Sequence, residues 1–277
     1  MNLVVQGPAL AKGDLEALAL LAKPQAVQQI AQHAFRLLNA KRNEGIGTLC
    51  QARRIDHAWI PEGRRFADLK LVAMDMDSTL ITIECVDELG ALAGKGREIA
   101  AITEQAMRGE IADYKESLRR RVALLAGLPE AALLTVYEQR LKLTPGAEQL
   151  IRRCKEAGVK LLLVTGGFTF FTDRLKARLG LDYTASNVLE VKGGKLTGAL
   201  LGDILDAEGK AAKFREVMSS LRAGKENTIA IGDGANDLKM MKEAGISVAF
   251  HAKPVVQAEA TCALSWCGLD AVANLLE

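Results

Sequence analysis

Four short apolar runs, residues 69–74, 159–164, 228–231 and 246–249, are bounded by Gly, Asp or Asn, and segments of helical period such as 146–157 and 237–244 lie between them. That alternation is the mark of βα units. Their strands pair in parallel and bury both faces, so each reads as an unbroken apolar run rather than an alternating one. Ligands of such sheets gather at the carboxyl ends of the strands, so those ends are where chemistry is expected.

The first run, LKLVAMDMDSTLI, passes straight into Asp75 and then Asp77. A buried strand does not finish on two carboxylates unless something neutralises them. If the chain stays extended there, period two puts both side chains on one side. The second run, LLLV, leads into Thr165, Gly166 and Gly167, a hydroxyl and glycine amides able to cradle an anion. The third, TIAIGDGAND, leads into Asp233, then Asn236 and Asp237, where a helix is expected to begin.

Collected on one edge, Asp75, Asp77 and Asp233 repel one another unless a cation lies among them. Oxygen ligands with room for water and a phosphate suit Mg2+ better than zinc, and no His or Cys cluster competes. An ionised Asp75 can attack phosphorus without a helper base. Asp77 can then protonate the leaving alkoxide and later activate water. A lysine must neutralise the phosphoryl oxygens, and Lys210 and Lys213 in DAEGKAAKF are the candidates. A DxD, a TGG or a GDGAND alone is often only a turn or a cap. Their order, each after an apolar run, carries the inference.

The rest of the chain bounds this reading. Its 277 residues, 49% of them hydrophobic, suffice for a full domain plus smaller pieces. With 36 Lys+Arg against 34 Asp+Glu the net charge is +2, which makes no electrostatic case for nucleic acid or a membrane surface. No apolar stretch reaches the ~18 residues of a membrane span. The opening MNLVVQGPALAKGDLEAL lacks the regions of a secretion signal. Five scattered cysteines without a CxxC pair fit a reducing compartment, so a cytoplasmic location is expected. Residues 1–68 are expected to form a small N-terminal α/β domain, helical over 26–38, with Pro61, Glu62 and Gly63 as a linker. Residues 69–84 and 144–277 make the core. Residues 85–143, dense in Ala, Leu, Glu and Arg, read as helices placed where a lid would sit.

The motifs resemble those of the haloacid dehalogenase superfamily of phosphotransferases. DMDST is similar to its first motif, LLLVTGG to its second, Lys210 to its third and GDGAND to its fourth, over roughly residues 69–254. The resemblance implies a Rossmann-like, three-layer α/β core with a helical, C1-type cap. Asp at the second DxD position argues for phosphoryl transfer over dehalogenation.

A narrower similarity, carried by DMDSTLITIECVDELG, AMRGEIADYKESLRRRV, VTGGFTFF and GDGANDLKMMKEAGISVAFHAKP, is to phosphoserine phosphatases. It implies Mg2+-dependent hydrolysis of O-phospho-L-serine through an aspartyl-phosphate, the last step of serine biosynthesis. Carried over, Asp75 is the nucleophile and Asp77 the general acid/base. Mg2+ is held by the Asp75 side chain, the Asp77 backbone carbonyl and the Asp233 side chain. Thr165, where relatives more often carry Ser, holds phosphate with Gly166 and Lys210, and Asn236 lies close. Lys210 rather than Lys213 fits the DAxxK spacing. The substrate-reading pair falls on Glu84, a carboxylate for the ammonium, and Arg121, a guanidinium fork for the carboxylate. Met107 and Tyr114 match cap positions that help close the pocket. Longer relatives carry an ACT-type domain at the N-terminus. Residues 1–68 are short for one and are expected to serve packing or a homodimer contact. Two other readings stay open: action on another small phosphomonoester, including transfer to an acceptor such as homoserine, and a binding protein that kept the fold and lost turnover.

Overall fold

The computed structural model describes residues 1–277 apart from Gly109, Ala112 and the side chain of Met107, so the expectation for Met107 lies outside the described residues. The strands are β1 (Asn2–Gln6), β2 (Ala26–Ala31), β3 (Ala34–Leu38), β4 (Asp56–Ile60), β5 (Leu71–Met74), β6 (Lys160–Phe168), β7 (Tyr183–Lys192), β8 (Lys195–Leu201), β9 (Thr228–Gly232), β10 (Ile246–Phe250) and β11 (Cys262–Leu264). They form one mixed sheet in the order β2-β3-β1-β4-β11-β10-β9-β5-β6-β7-β8. Its middle, from β11 to β7, is parallel.

The four expected runs are β5, β6, β9 and β10, and their two-faced burial explains the unbroken apolar pattern. Val72 and Met74 of β5 join a core with Leu150, Ile151 and Phe171, while Leu71 and Ala73 join another with Phe214, Val217 and Met240. Helices Ala147–Glu156 and Thr169–Leu179 supply the first set; Ala207–Ser220 and Leu238–Glu243 supply the second. Leu71, Val72 and Met74 are each at most 1% exposed, and burial of such side chains contributes about 1.5–3 kcal/mol apiece.

Residues 26–38 are not a helix. β2 and β3 pair as an antiparallel hairpin, Ala26 opposite Leu38, turning at Gln32 and His33. The short apolar pattern fits either period, and with no Gly, Asn or Asp at the turn the hairpin leaves no local signal. Long-range contacts decide it. β3 pairs with β1, and the buried Arg36 donates from Nη2 to the carbonyls of Leu276 (2.7 Å) and Asn274 (3.1 Å). The order to residue 60 is therefore βαββαβ, with helices Lys12–Ala22 and Glu44–Arg53 over a small core of Leu3, Val5, Leu18, Leu37 and Ile46. β4 meets β11 antiparallel at one position, His57 opposite Ala263, and Val4, Ala58 and Ile60 join the larger core. Beyond the turn at residues 62–63 the chain is tied to its own end. Phe66 N donates to Glu277 O (2.7 Å) and Glu277 N to Arg64 O (2.9 Å).

After β5 come helices Cys85–Leu92, Gly96–Met107, Tyr114–Ala123 and Ala131–Thr135. This helical segment is fastened to the β7–β8 hairpin by Gly127 N to Leu196 O (2.8 Å), Leu196 N to Leu128 O (2.9 Å) and Glu130 N to Gly194 O (2.9 Å). Lys115 adds an ion pair to Asp206 at 3.2 Å. Among the described residues no helix is long and apolar enough to cross a membrane, and the five cysteines are free thiols.

Candidate active site

Past β5 the chain does not stay extended. Asp75 caps a tight loop over Met76–Leu80 in which Ser78 takes the left-handed conformation, φ 55°. Asp75 and Asp77 do face one cavity, but the loop brings them there rather than strand alternation. Asp75 Oδ1 accepts from Met76 N at 2.8 Å and from Lys210 Nζ at 2.9 Å. Lys210, 1% exposed, also reaches Asp237 Oδ1 at 2.7 Å. Lys213 instead pairs with Glu216 along its own helix, so of the two lysines it is Lys210 that reaches the acids at the strand ends.

Carboxylate oxygens of Asp75, Asp233 and Asp237 lie within 4.8 Å of one another. Asp237 was expected only as a helix start. It is fully buried, and its Oδ2 also accepts from Gly234 N at 3.1 Å. Its signal was present as the second Asp of GDGAND, but a helix-start Asp explained it equally well. Burial, with Asp75 and Glu84 adding charge, pushes Asp233 up to about 7; Thr79 Oγ1 donates to it at 3.3 Å. Burial, with Asp75 and Asp233, pushes Asp237 up to about 7 against the pull of Lys210. Burial opposes the charge on Lys210, but Asp237 and Asp75 outweigh it and hold its pKa above the usual lysine value. Three oxygen donors this close, two of them with raised pKa values, suit a hard divalent cation.

The cavity above this cluster has a volume of about 950 Å³, and strand ends and helical segment share its lining: Asp75, Asp77, Glu84, Thr165, Gly166, Asp233 and Asn236 from the strand ends and the loops after them, Tyr114 and Arg121 from the helical segment. Lys210 is not among the lining residues and lies against Asp75, which is. Asp77 Oδ1 accepts from Cys85 N at 3.1 Å, and burial, Glu84 and Asp75 push its pKa well up. Glu84 accepts from Ser78 Oγ at 2.7 Å; burial and then Asp75 raise it, while Arg121 opposes. Arg121 is the arginine of its run that faces the cavity. Arg119 and Arg120 are exposed, and Arg120 pairs with Glu116.

Thr165 to Gly167 are not a free loop, because β6 runs on to Phe168. Gly167 N donates to Thr165 Oγ1 at 3.0 Å, and Asn187 Nδ2 donates to Gly166 O at 2.8 Å. Both glycines are needed for close approach: a Cβ on Gly166 would strike the Tyr114 hydroxyl, and one on Gly167 would lie 2.7 Å from Met76 Cε.

Residues 72–242 match the model of the haloacid dehalogenase-like hydrolases. A phosphoserine phosphatase of Polaromonas sp. is 56% identical over 217 residues, 77% of this chain and 92% of that protein. The chain belongs to the phosphoserine phosphatase family of the haloacid dehalogenase-like hydrolases. Solved members of the family share its fold. A probable phosphoserine phosphatase from Vibrio cholerae, in unliganded form, superposes with a TM-score of 0.87 at 38% identity, covering 99% of this chain and 86% of that one. A phosphoserine phosphatase solved as the analogue of its phospho-aspartyl intermediate gives a TM-score of 0.71 at 37% identity, over 76% of this chain and 99% of that one. Outside the hydrolase match, residues 3–46 match a domain of unknown function.

Proposed function

We propose that the chain hydrolyses O-phosphoserine to serine and phosphate, with Asp75 carrying the phosphoryl group between two steps and Mg2+ as its cation. The observation that carries this is a buried Lys210–Asp75 contact at 2.9 Å beneath a cavity that Glu84 and Arg121 also line. The relative solved as a phospho-aspartyl analogue supports the covalent route.

Asp75 Oδ1 takes both hydrogen bonds made to this carboxylate among the described residues, which leaves Oδ2 to attack phosphorus. As the new O–P bond forms, the ester P–O bond breaks, and the serine oxygen takes a proton from Asp77. That residue is suited to hold one, because burial, Glu84 and Asp75 disfavour its charge. In the second step Asp77 takes a proton from the water that attacks the phosphorus, and Asp75 leaves as a carboxylate. Lys210 spends two of its three N–H donors on Asp75 and Asp237 and keeps one for a phosphoryl oxygen. Thr165, Gly166 and Asn236 hold the remaining phosphoryl oxygens. Mg2+, held by Asp75, Asp233, Asp237 and the Asp77 backbone carbonyl, would withdraw charge from the phosphoryl group. Glu84 meets the substrate ammonium and Arg121 its carboxylate.

In this reading residues 85–143 act as a C1-type cap on a core of 69–84 and 144–277, and residues 1–68 are an accessory domain. Closure of the cap excludes water from the first step.

Phosphate release from a panel of small phosphoesters, with and without Mg2+, tests the reaction; no metal-dependent release would end it. Arg121→Ala tests the substrate. KM for phosphoserine is expected to rise about a hundredfold, the cost of removing one partner of a desolvated charge pair, against a small change for p-nitrophenyl phosphate. Equal losses on both would remove the amino-acid reading.

A further inference from the structure

Tyr114 begins the helix Tyr114–Ala123, where the helical segment comes down on the strand ends. Its ring packs against the main core, and its hydroxyl sits so close over Gly166 that a Cβ there would collide with it. The residue lines the active-site cavity, and among the described residues its hydroxyl has no protein hydrogen-bond partner. Ring packing alone would be served as well by phenylalanine. The hydroxyl is therefore an extra polar group, placed beside Gly166 and within the electrostatic reach of Lys210, Arg121, Asp75 and Asp77.

We propose that the Tyr114 hydroxyl donates a hydrogen bond to a phosphoryl oxygen of the bound ester, so that the helical segment grips the same group that Thr165 and Gly166 hold from the strand side. This rests on the phosphatase reading above. Burial pushes the phenol up to about 12, so it is a protonated donor throughout the neutral range. The neighbouring residue reinforces the placement. Lys115 pairs with Asp206 at 3.2 Å, and Asp206 caps the helix that carries Lys210 by accepting from Gly209 N at 2.9 Å. Two adjacent residues thus fix the start of one helix over the phosphoryl pocket. Because the contact is to the phosphoryl group, its worth should not depend on what the phosphate is attached to.

The test is Tyr114→Phe in the full chain with Mg2+, read by calorimetric titration with inorganic phosphate and by steady-state kinetics on phosphoserine and p-nitrophenyl phosphate. The loss of a hydrogen bond to a charged group is expected to weaken phosphate binding about tenfold and to raise KM for both esters by a similar factor, at unchanged melting temperature. Phosphate affinity within twofold of the parent would overturn the proposal. So would a loss confined to phosphoserine, which would place the hydroxyl on the amino-acid end. Phosphate binding is read apart from turnover, so a parent chain that binds phosphate but releases none from phosphoserine sinks the substrate reading alone. The binding ratio still decides the contact.

Discussion

Past the end of β11 the amides of Ser265, Trp266 and Cys267 converge on Asp56, whereas past the ends of β5 and β9 the carboxylates of Asp75, Asp233 and Asp237 converge on one another. Asp56 is as buried as two of the three: it is 2% exposed, Asp75 6% and Asp237 0%, while Asp233 is half-buried. The surroundings are opposite. Asp56 accepts three backbone N–H bonds at 2.7, 3.1 and 2.9 Å, so the chain itself completes that site and joins the N-terminal strands to the parallel sheet. Of the other three, Asp75 and Asp237 share one lysine while Asp233 accepts from the Thr79 hydroxyl, and burial with mutual repulsion pushes Asp233 and Asp237 up to about 7. A buried acid therefore does not mark function by burial. It does so when the chain withholds the partner that burial demands.

The strongest way to break this contrast is Asp75→Asn. If Asp75 is the nucleophile, an amide of the same shape should cut kcat by about 10⁴-fold or more. The melting temperature should hold or rise, because one member of the repelling set becomes neutral. Phosphate-release assays and a thermal melt check both halves; a stable variant that still turns over would end the nucleophile assignment. The mirror experiment is Asp56→Ala. It strands three amide donors at the seam and should cost about 3 kcal/mol in a denaturant titration. Activity of the folded protein should stay within about twofold, since β11, β10 and β9 separate β4 from β5. A fall in kcat matching the loss of stability would show that the two regions are not independent.

How far the sequence disclosed these regions follows the same divide. The acidic edge was legible because strand, turn and acid are contiguous there: β5 and Asp75, β6 and Thr165, β9 and Asp233. Arg121 came from the family resemblance alone, since a helical run of like residues hides which one points inward, and in the structure it is the one of the three that lines the cavity. Asp237 was missed as a site residue because a helix-start Asp accounts for it locally, and only Lys210, 27 positions away in sequence, reveals its pairing. The seam was illegible. Asp56 binds amides more than two hundred residues downstream, and the β2–β3 hairpin turns without a turn residue. Partners that distant leave no periodicity near either end.

The finest effect to look for lies on the seam itself. His57 sits at the single position where β4 pairs with β11, next to Asp56. Burial pulls its pKa below the ordinary histidine value, and the Asp56 charge only partly offsets that. The unfolded chain then takes up the proton first as pH falls below about 6.5. Between that value and the lower folded one, the unfolded state binds more protons, so folding stability must decrease toward acid and level off once both states are protonated. His57→Gln removes this contribution. The difference in unfolding free energy between parent and variant, measured across pH 5 to 8 at constant salt, should shift against the parent on the acid side and be flat above about 7. A difference that runs the other way would mean that Asp56 dominates His57 electrostatically. The seam carboxylate would then hold an unspent charge, as the active-site carboxylates do.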